Sequence, residues 1–289
     1  MRNRKLDQYL KDIAEGRVSP VEAAEKLRMR LYDDMDFAKL DTDRELRTGR
    51  GEVVFALGKT PEQTASIMRR MVELACEDGR APFTGEGGPF RPILATKATS
   101  EHYEAVFDLF GDGLTAKHGL ALEYMEAAKM IVIRPDDGAA SGRGSLAPGD
   151  ARYASGLIAV VSGGTADMPV AEEAAVTAEL YGHEVTRVYD VGISGLHRLL
   201  DKIDDIRKAE VVIAVAGMEG ALASVIAGLV YRPVIAVPTS IGYGITLSGL
   251  TPLFAMLGSC SLGVGVMNVD NGFGAAHYAS MILGVKDGR

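Results

Sequence analysis

Apolar runs and amphipathic stretches alternate through the second half of the chain. "GLIAVVSGG" is a continuous aliphatic run that ends on glycine, the pattern of a strand buried on both faces. "ADMPVAEEAAVTAELYG" then predicts a helix that starts at its proline and ends at Gly182. Four more strands are predicted at "HEVTRVYDVG", "EVVIAVAG", "RPVIAVPTS" and "GVGVMNVD". "GLHRLLDKIDDIRKA", "MEGALASVIAGLVY", "GLTPLFAML" and "NGFGAAHYASMIL" supply the helices around them. Strand and helix alternate five times, which predicts an α/β domain with an open parallel sheet and right-handed crossovers.

The first half is less regular. Leu6, Tyr9, Leu10 and Ile13 have helical spacing, and "GRVSPVEAAEKL" restarts a helix with Ser19 as N-cap and Pro20 at its first position. "EVVFALG", "RPILATKA" and "MIVIRP" read as strands. "KTPEQTASIMRRMVELACEDG" predicts a helix, with Thr60 as cap, Pro61 at its first position and Gln63 closing a capping box. "TSEHYEAVFDLFGDG" predicts another, while "HGLALEYMEAAKM" reads as irregular. Residues 136–155 hold glycine, alanine, serine and proline without periodicity. The organisation expected is a small N-terminal α/β domain with a helical leader over 1–135, a linker over 136–155 and a nucleotide-binding domain over 156–289.

Composition narrows the function. With 31 basic against 39 acidic residues, the net charge of −8 argues against a general nucleic-acid binder. An anionic ligand would need positive groups gathered locally. The opening "MRNRKLDQYLKDIAEGR" lacks an apolar signal-peptide core, and no apolar stretch is long enough to span a bilayer. A cytoplasmic protein with no membrane partner is the expectation. Two cysteines give no disulfide framework, and the five scattered histidines do not form a metal-ligand pattern.

In open α/β sheets, ligands bind beyond the carboxyl ends of the strands. Polar or glycine-rich clusters fall there in "SGGTAD", "GISGLHR", "AGMEG", "VPTSIGYG" and "VDNGFG". Each has two readings. Gly163, Gly164 and Thr165 either make a tight turn capped by Asp167 or admit a phosphate close to the backbone. His197 and Arg198 are either a surface pair or a general acid with a phosphate partner. Glu219 either caps a helix or serves as a base. The mixed-charge run holding Lys39, Asp41, Arg44 and Arg47 is either a solvated face or an anion site near Lys59. Cys260, in "GSCSLG", is either a small buried residue or a thiolate nucleophile. Cys76 reads as packing. The chain has no G-x-G-x-x-G between strand and helix, which argues against a nicotinamide-dependent dehydrogenase.

Two resemblances sharpen these readings. "SGGTADMP", "SGLHR", "AGMEGAL" and "VPTS" occur in the order of the motifs of the carboxyaminoimidazole ribonucleotide mutase (PurE) family. That resemblance implies a flavodoxin-like, three-layer C-terminal domain. From about residue 30 to 285, the chain also resembles the LarB family, through "DFAKLDTDRELRTGRGEVVFALGKTPEQ", "AGMEGALASVIAGLVYRPVIAVPTSIGYG" and "MLGSCSLGVGVMNVDNGFGAA". LarB enzymes open the biosynthesis of the nickel-pincer nucleotide cofactor. The resemblance implies carboxylation of nicotinic acid adenine dinucleotide by carbon dioxide or bicarbonate, with hydrolysis to pyridinium-3,5-biscarboxylic acid mononucleotide and AMP.

A pyridinium ring is too electron-poor to attack carbon dioxide. A thiolate adding beside the ring nitrogen makes a dihydropyridine whose enamine β carbon can attack. Loss of the proton there and expulsion of the thiolate restore the aromatic ring. The chemistry therefore wants Cys260 as nucleophile and leaving group. Glu219 or His197 would take the ring proton, and Asp167 would face the ribose or ring. Gly163, Gly164, Thr165, Ser259 and Asn271 would bind the substrate. Lys39, Arg44, Arg47 and Arg198 would hold its pyrophosphate and carboxylate and Asp41 would bind another part of it, so the site would straddle both domains. Mg²⁺ is expected through the phosphates, with no tightly bound organic cofactor. The mutase relatives, which assemble as octamers, imply a homo-oligomer. An aminoimidazole ribonucleotide carboxylase or mutase and a non-catalytic nucleotide sensor are the alternatives.

Overall fold

The computed structural model describes residues 4–19, 21–23, 32–42, 44, 48, 50–77, 92–111, 113, 118–136 and 156–286. Five parallel strands build the C-terminal sheet: β7 (Leu157–Ser162), β8 (Glu184–Val188), β9 (Val211–Ala216), β10 (Val234–Pro238) and β11 (Val264–Val266). Their order is β11-β10-β9-β7-β8, so the sequence direction reverses between β7 and β9. This is the flavodoxin-like order, and the crevice at that reversal is where such sheets take ligands.

Strand alternation assigns the two faces. Ile158, Val160, Ile213, Val215 and Ile235 pack against α4 (Met168–Leu180) and α9 (Gly272–Lys286). Ala159, Val161, Val212, Ala214 and Ala236 pack on the other side. There they meet α5 (Leu196–Asp201), α6 (Ile203–Lys208), α7 (Ala221–Ala227) and α8 (Leu250–Leu257). Alanines on the sheet and on α4 let the layers approach closely, while the branched residues fill the spaces between them.

A short antiparallel pair, β1 (Asp33–Asp34) with β2 (Lys39–Leu40), precedes the N-terminal sheet, which is mixed. β3 (Val54–Phe55) runs parallel to β4 (Ile93–Thr96), and β6 (Met130–Pro135) and β5 (Leu120–Met125) continue it antiparallel. α2 (Pro61–Glu77) and α3 (Ser100–Phe110) cover one face through Ile67, Met68, Val72 and Val106. The capping box forms as expected: the Thr60 amide donates to Gln63 Oε1 at 3.0 Å and the Gln63 amide to Thr60 Oγ1 at 3.2 Å. On the other face, Leu94, Met130 and Val132 pack on Val176 and Leu180 of α4, so the two sheets share a small core across one helix.

Three sequence expectations shift locally. "LALEYM" is not irregular but is strand β5, whose Leu122 and Tyr124 join the core with Leu120. The run at 196–208 divides at Lys202 into two short helices. α7 starts at Ala221, because Met218 (φ 52°) and Gly220 (φ 67°) take left-handed conformations in the turn before it. In the leader, α1 (Arg4–Ala14) is present, and the Glu22 amide donates to Ser19 Oγ at 3.2 Å, as an N-cap would arrange. Residues 137–155, most of the expected linker, lie outside the described residues.

A buried polar contact ties the segment before β3 to α9. Arg50 donates to Ser280 Oγ at 2.5 Å, and its guanidinium lies 3.6 Å from the centre of the Tyr181 ring. His183 Nε2 lies 2.8 Å from the same hydroxyl. Burial, with the nearby Arg50 charge, lowers the His183 pKa from 6.5 to about 4. The unfolded chain thus takes up a proton that the fold resists. This contribution is complete above pH 6.5 and is lost as pH falls toward 4, by up to about 3 kcal/mol. Urea unfolding at pH 7 and pH 4.5 should show this loss, and His183→Gln should flatten it. An unchanged slope would place the acid sensitivity elsewhere.

Candidate active site

The carboxyl ends of β7, β9 and β10 converge on Asp167, which is buried. Its Oδ2 accepts the Gly164 amide at 2.9 Å. Its Oδ1 accepts the Gly217 amide at 3.1 Å and the Thr239 hydroxyl at 2.7 Å. One carboxylate therefore holds the loops after three strands in register. Burial pushes its pKa up, these three hydrogen bonds pull it down, and the Asp270 charge adds to the rise; the net shift is upward. Gly217 has no alternative, since a Cβ there would stand 2.2 Å from the Ile241 carbonyl oxygen.

Around this strut lie the other carboxyl-edge residues. Gly163 and Gly164 are half-buried and Thr165 is exposed, so the loop presents its backbone outward. Asp190, after β8, bonds to Arg198 at 2.5 Å, and its amide donates to Ser162 Oγ at 3.2 Å. His197 and Glu219 are exposed and make no hydrogen bond or ion pair among the described residues. Glu219 sits at the tip of the turn closed by Gly220 N–H donating to the Gly217 carbonyl at 2.9 Å. It is not the N-cap of α7, a position that Gly220 takes. Asn271 Oδ1 accepts the Gly274 amide at 2.8 Å and so caps α9.

The N-terminal domain reaches this edge through Lys97, which the sequence reading passed over. Lys97 follows β4 with φ 55°. Its Nζ donates to Glu173 at 2.7 Å and to the Asp270 carbonyl at 2.6 Å. The Asp270 carboxylate in turn accepts the Ser240 amide at 2.8 Å. Glu173 also accepts the Gly272 amide at 3.1 Å. A lysine just past a strand's carboxyl end was the available signal. Burial raises the Glu173 pKa and the Lys97 charge opposes that rise. Lys97→Met would leave Glu173 buried and unpaired, a loss of about 3–5 kcal/mol. A fall of that size in urea-unfolding free energy is expected, with partial recovery on adding Glu173→Gln. A loss under about 1 kcal/mol would make the pair peripheral.

Other expected residues stand apart from Asp167. Lys39 pairs with Asp34 at 3.4 Å and Arg44 with Glu52 at 3.3 Å; both are exposed. The Asp41 carbonyl accepts the Arg44 amide at 3.4 Å. Arg47 lies outside the described residues. Cys260 is exposed and makes no hydrogen bond among the described residues. Ser259 beside it bonds to Ser224 of α7 at 2.8 Å. This loop enters β11 at the amino end of the sheet, where the Val234 amide donates to the Gly263 carbonyl at 3.0 Å. Thr239, at Asp167, lies five residues further along the chain, about 16 Å away. Within one chain, Cys260 and Asp167 are thus set at different ends of the sheet. Cys76 is half-buried, with its sulfur 3.3 Å from His118 Nδ1.

A flavodoxin-like sheet whose reversal point gathers backbone amides around a buried carboxylate defines an open, doubly wound class of α/β protein. Comparison with known proteins carries this further. Residues 157–289 match the AIR carboxylase family, and residues 32–77 match the LarB/PurE-like N-terminal domain. An uncharacterized protein of Methanocaldococcus jannaschii is 35% identical over 280 residues, covering 96% of each chain. The N5-carboxyaminoimidazole ribonucleotide mutase of the same organism is 32% identical over 138 residues, 45% of this chain and 81% of its own. The mutase of Thermotoga maritima is 30% identical over 136 residues, 45% of this chain and 75% of its own. The chain belongs to the LarB-type family, with a C-terminal PurE-like domain. Among the described residues, no helix is long and apolar enough to cross a membrane.

Proposed function

We propose that this protein carboxylates nicotinic acid adenine dinucleotide and hydrolyses its phosphoanhydride, releasing pyridinium-3,5-biscarboxylic acid mononucleotide and AMP. The observation that carries the reading is the unpartnered, exposed thiol of Cys260 in a chain whose PurE-like half otherwise resembles ribonucleotide mutases. Addition of the Cys260 thiolate to the ring gives a dihydropyridine. The C–S bond takes both its electrons from sulfur, and the ring nitrogen loses its positive charge. The enamine carbon then bonds to carbon dioxide, Glu219 or His197 takes the proton from that carbon, and the thiolate leaves with the C–S electrons. Glu219 and His197 suit the task because neither is engaged elsewhere among the described residues. The Gly163–Thr165 loop, held by Asp167, supports the ribose phosphate, and Arg198 adds positive charge beside it.

Among the described residues, no group of three or more histidines, cysteines or carboxylates is placed to hold a metal. The residues present do not form a protein cage for Mg²⁺, so no step is assigned to it. A divalent ion would be carried by the substrate's phosphates.

The separation of Cys260 from Asp167 supports a homo-oligomeric site, in which the thiol of one copy completes the carboxyl edge of another. Large apolar side chains are exposed from the loop after β10 through to the thiol loop. Ile245 (82% exposed), Tyr243 (80%), Phe254 (66%) and Leu262 (92%) lie on or beside α8 and its flanking loops. Such side chains suit burial against a second copy. Mixing Cys260→Ser with Asp167→Asn chains under exchange conditions should restore up to about a quarter of wild-type activity. No restoration would assign each site to a single chain. Aminoimidazole ribonucleotide is the second substrate reading, favoured by the similarity to mutases over 45% of the chain.

A further inference from the structure

A cavity of about 470 Å³ opens beside the thiol loop, between the end of α7, residues 230–233 and residues 261–263. Ser261, the neighbour of Cys260, lines it together with Gly228, Val230, Tyr231 and Leu262. Arg232 is the one charged side chain in its wall. The Arg232 Nε is buried and has no hydrogen-bond partner. Its guanidinium lies 4.6 Å from the centre of the Tyr231 ring and makes no ion pair among the described residues. Every other arginine with a described side chain has an oxygen partner, from Arg17 on Asp12 to Arg207 on Asp204. In an acidic protein, a guanidinium held on an aromatic ring with a buried N–H unanswered has donor capacity to offer an anion.

We infer that Arg232 is a specificity-determining residue that reads the carboxylate on the pyridine ring, with the ring itself lying along the apolar walls of this cavity. The inference rests on the dinucleotide reading above and names the part of that substrate which the thiol side of the site receives. One cation among apolar walls suits a planar aromatic acid. The pyrophosphate carries more charge and would call for several cations or a run of backbone amides, as at the carboxyl edge. Ser261 Oγ already donates to the Ser224 carbonyl at 2.9 Å, which leaves the Tyr231 hydroxyl and Arg232 as the wall's spare side-chain donors, and of these Arg232 alone carries charge. A carboxylate accepts two parallel guanidinium N–H bonds, whereas a carboxamide offers one oxygen and an N–H₂ group that faces donors with donors. The cavity therefore selects the acid form of the dinucleotide over the amide.

The test is direct binding of nicotinic acid adenine dinucleotide and of NAD to the full chain, in buffer free of carbon dioxide. Wild type, Arg232→Gln and Arg232→Lys are compared. The wild type is expected to bind the acid more tightly than the amide. Arg232→Gln should weaken the acid by about ten- to a hundredfold while leaving NAD within about twofold, which also shows that the variant is folded. Arg232→Lys should retain part of the preference. An undiminished preference in Arg232→Gln, or an equal loss of both ligands in both variants, overturns the assignment while leaving the dinucleotide reading in place. If the wild type binds neither dinucleotide, the reading and the assignment fall together.

Discussion

Cys260→Ser is expected to lower carboxylation by at least about a thousandfold while leaving the fold and dinucleotide binding nearly unchanged. The side chain is exposed and makes no hydrogen bond among the described residues, so the exchange of sulfur for oxygen creates no cavity and breaks no contact. Unfolding free energy should stay within about 0.5 kcal/mol of wild type. The chemical loss comes from both directions of the covalent step. A serine hydroxyl ionises far above neutral pH, and an alkoxide is a poor leaving group when the ring must regain its aromaticity. Wild type mixed with NAD should develop a dihydropyridine-like absorbance that the variant lacks. Cys76→Ser is the control: that sulfur packs with the N-terminal core near His118, so the variant should turn over as wild type does. Carboxylation retained by Cys260→Ser would contradict the covalent route.

Asp167→Ala is expected to be nearly as damaging, by another cause. Its carboxylate is the acceptor for two backbone amides and one hydroxyl, from the loops after β7, β9 and β10. Truncation leaves those buried donors unanswered at about 1–3 kcal/mol each before relaxation, so a net loss of roughly 3 kcal/mol is expected. The loop at Gly163–Thr165 would lose its shape, and ribose phosphate affinity should fall by about a hundredfold. Asp167→Asn should fall between, because its amide nitrogen must face at least one donor. Urea denaturation and dinucleotide titration of both variants check this. Full affinity in Asp167→Ala would leave the carboxylate without a part in shaping the site.

The C-terminal architecture was legible because both its signals are local. Uninterrupted aliphatic strands ending at glycine mark a sheet buried on both faces, and helix-period segments between them enforce parallel crossovers. β5 was harder to see. Leu120, Leu122 and Tyr124 alternate as a half-covered strand should, but the apolar Ala121 and Met125 at the intervening positions blur the pattern, and the hairpin depends on Lys129 taking a left-handed conformation. The start of α7 was misplaced for a related reason: "MEGALAS" holds good helix formers on both sides of Gly220, yet close packing of Gly217 on Ile241 and of Gly220 on Pro252 forces a turn first.

The carboxyl-edge loops around Asp167 could be located from strand ends alone. Lys97 also stands just past a strand's end, but nothing there points to its partners Glu173 and Asp270, which are 76 and 173 residues away in sequence. Arg232 escaped notice because a lone arginine before a strand carries no spacing signal. Its role rests on what its surroundings lack, an oxygen partner for a buried Nε. That Cys260, which precedes its strand, lies at the end of the sheet away from Asp167 depends on β11 running parallel to β10.

The most direct measurement incubates the full chain with nicotinic acid adenine dinucleotide and labelled bicarbonate, and follows label and AMP together. The account predicts label in a pyridinium dicarboxylate mononucleotide, with AMP released in equal amount and both signals lost in Cys260→Ser. AMP release without incorporated label, or label entering aminoimidazole ribonucleotide in a parallel incubation while the dinucleotide stays intact, would contradict it.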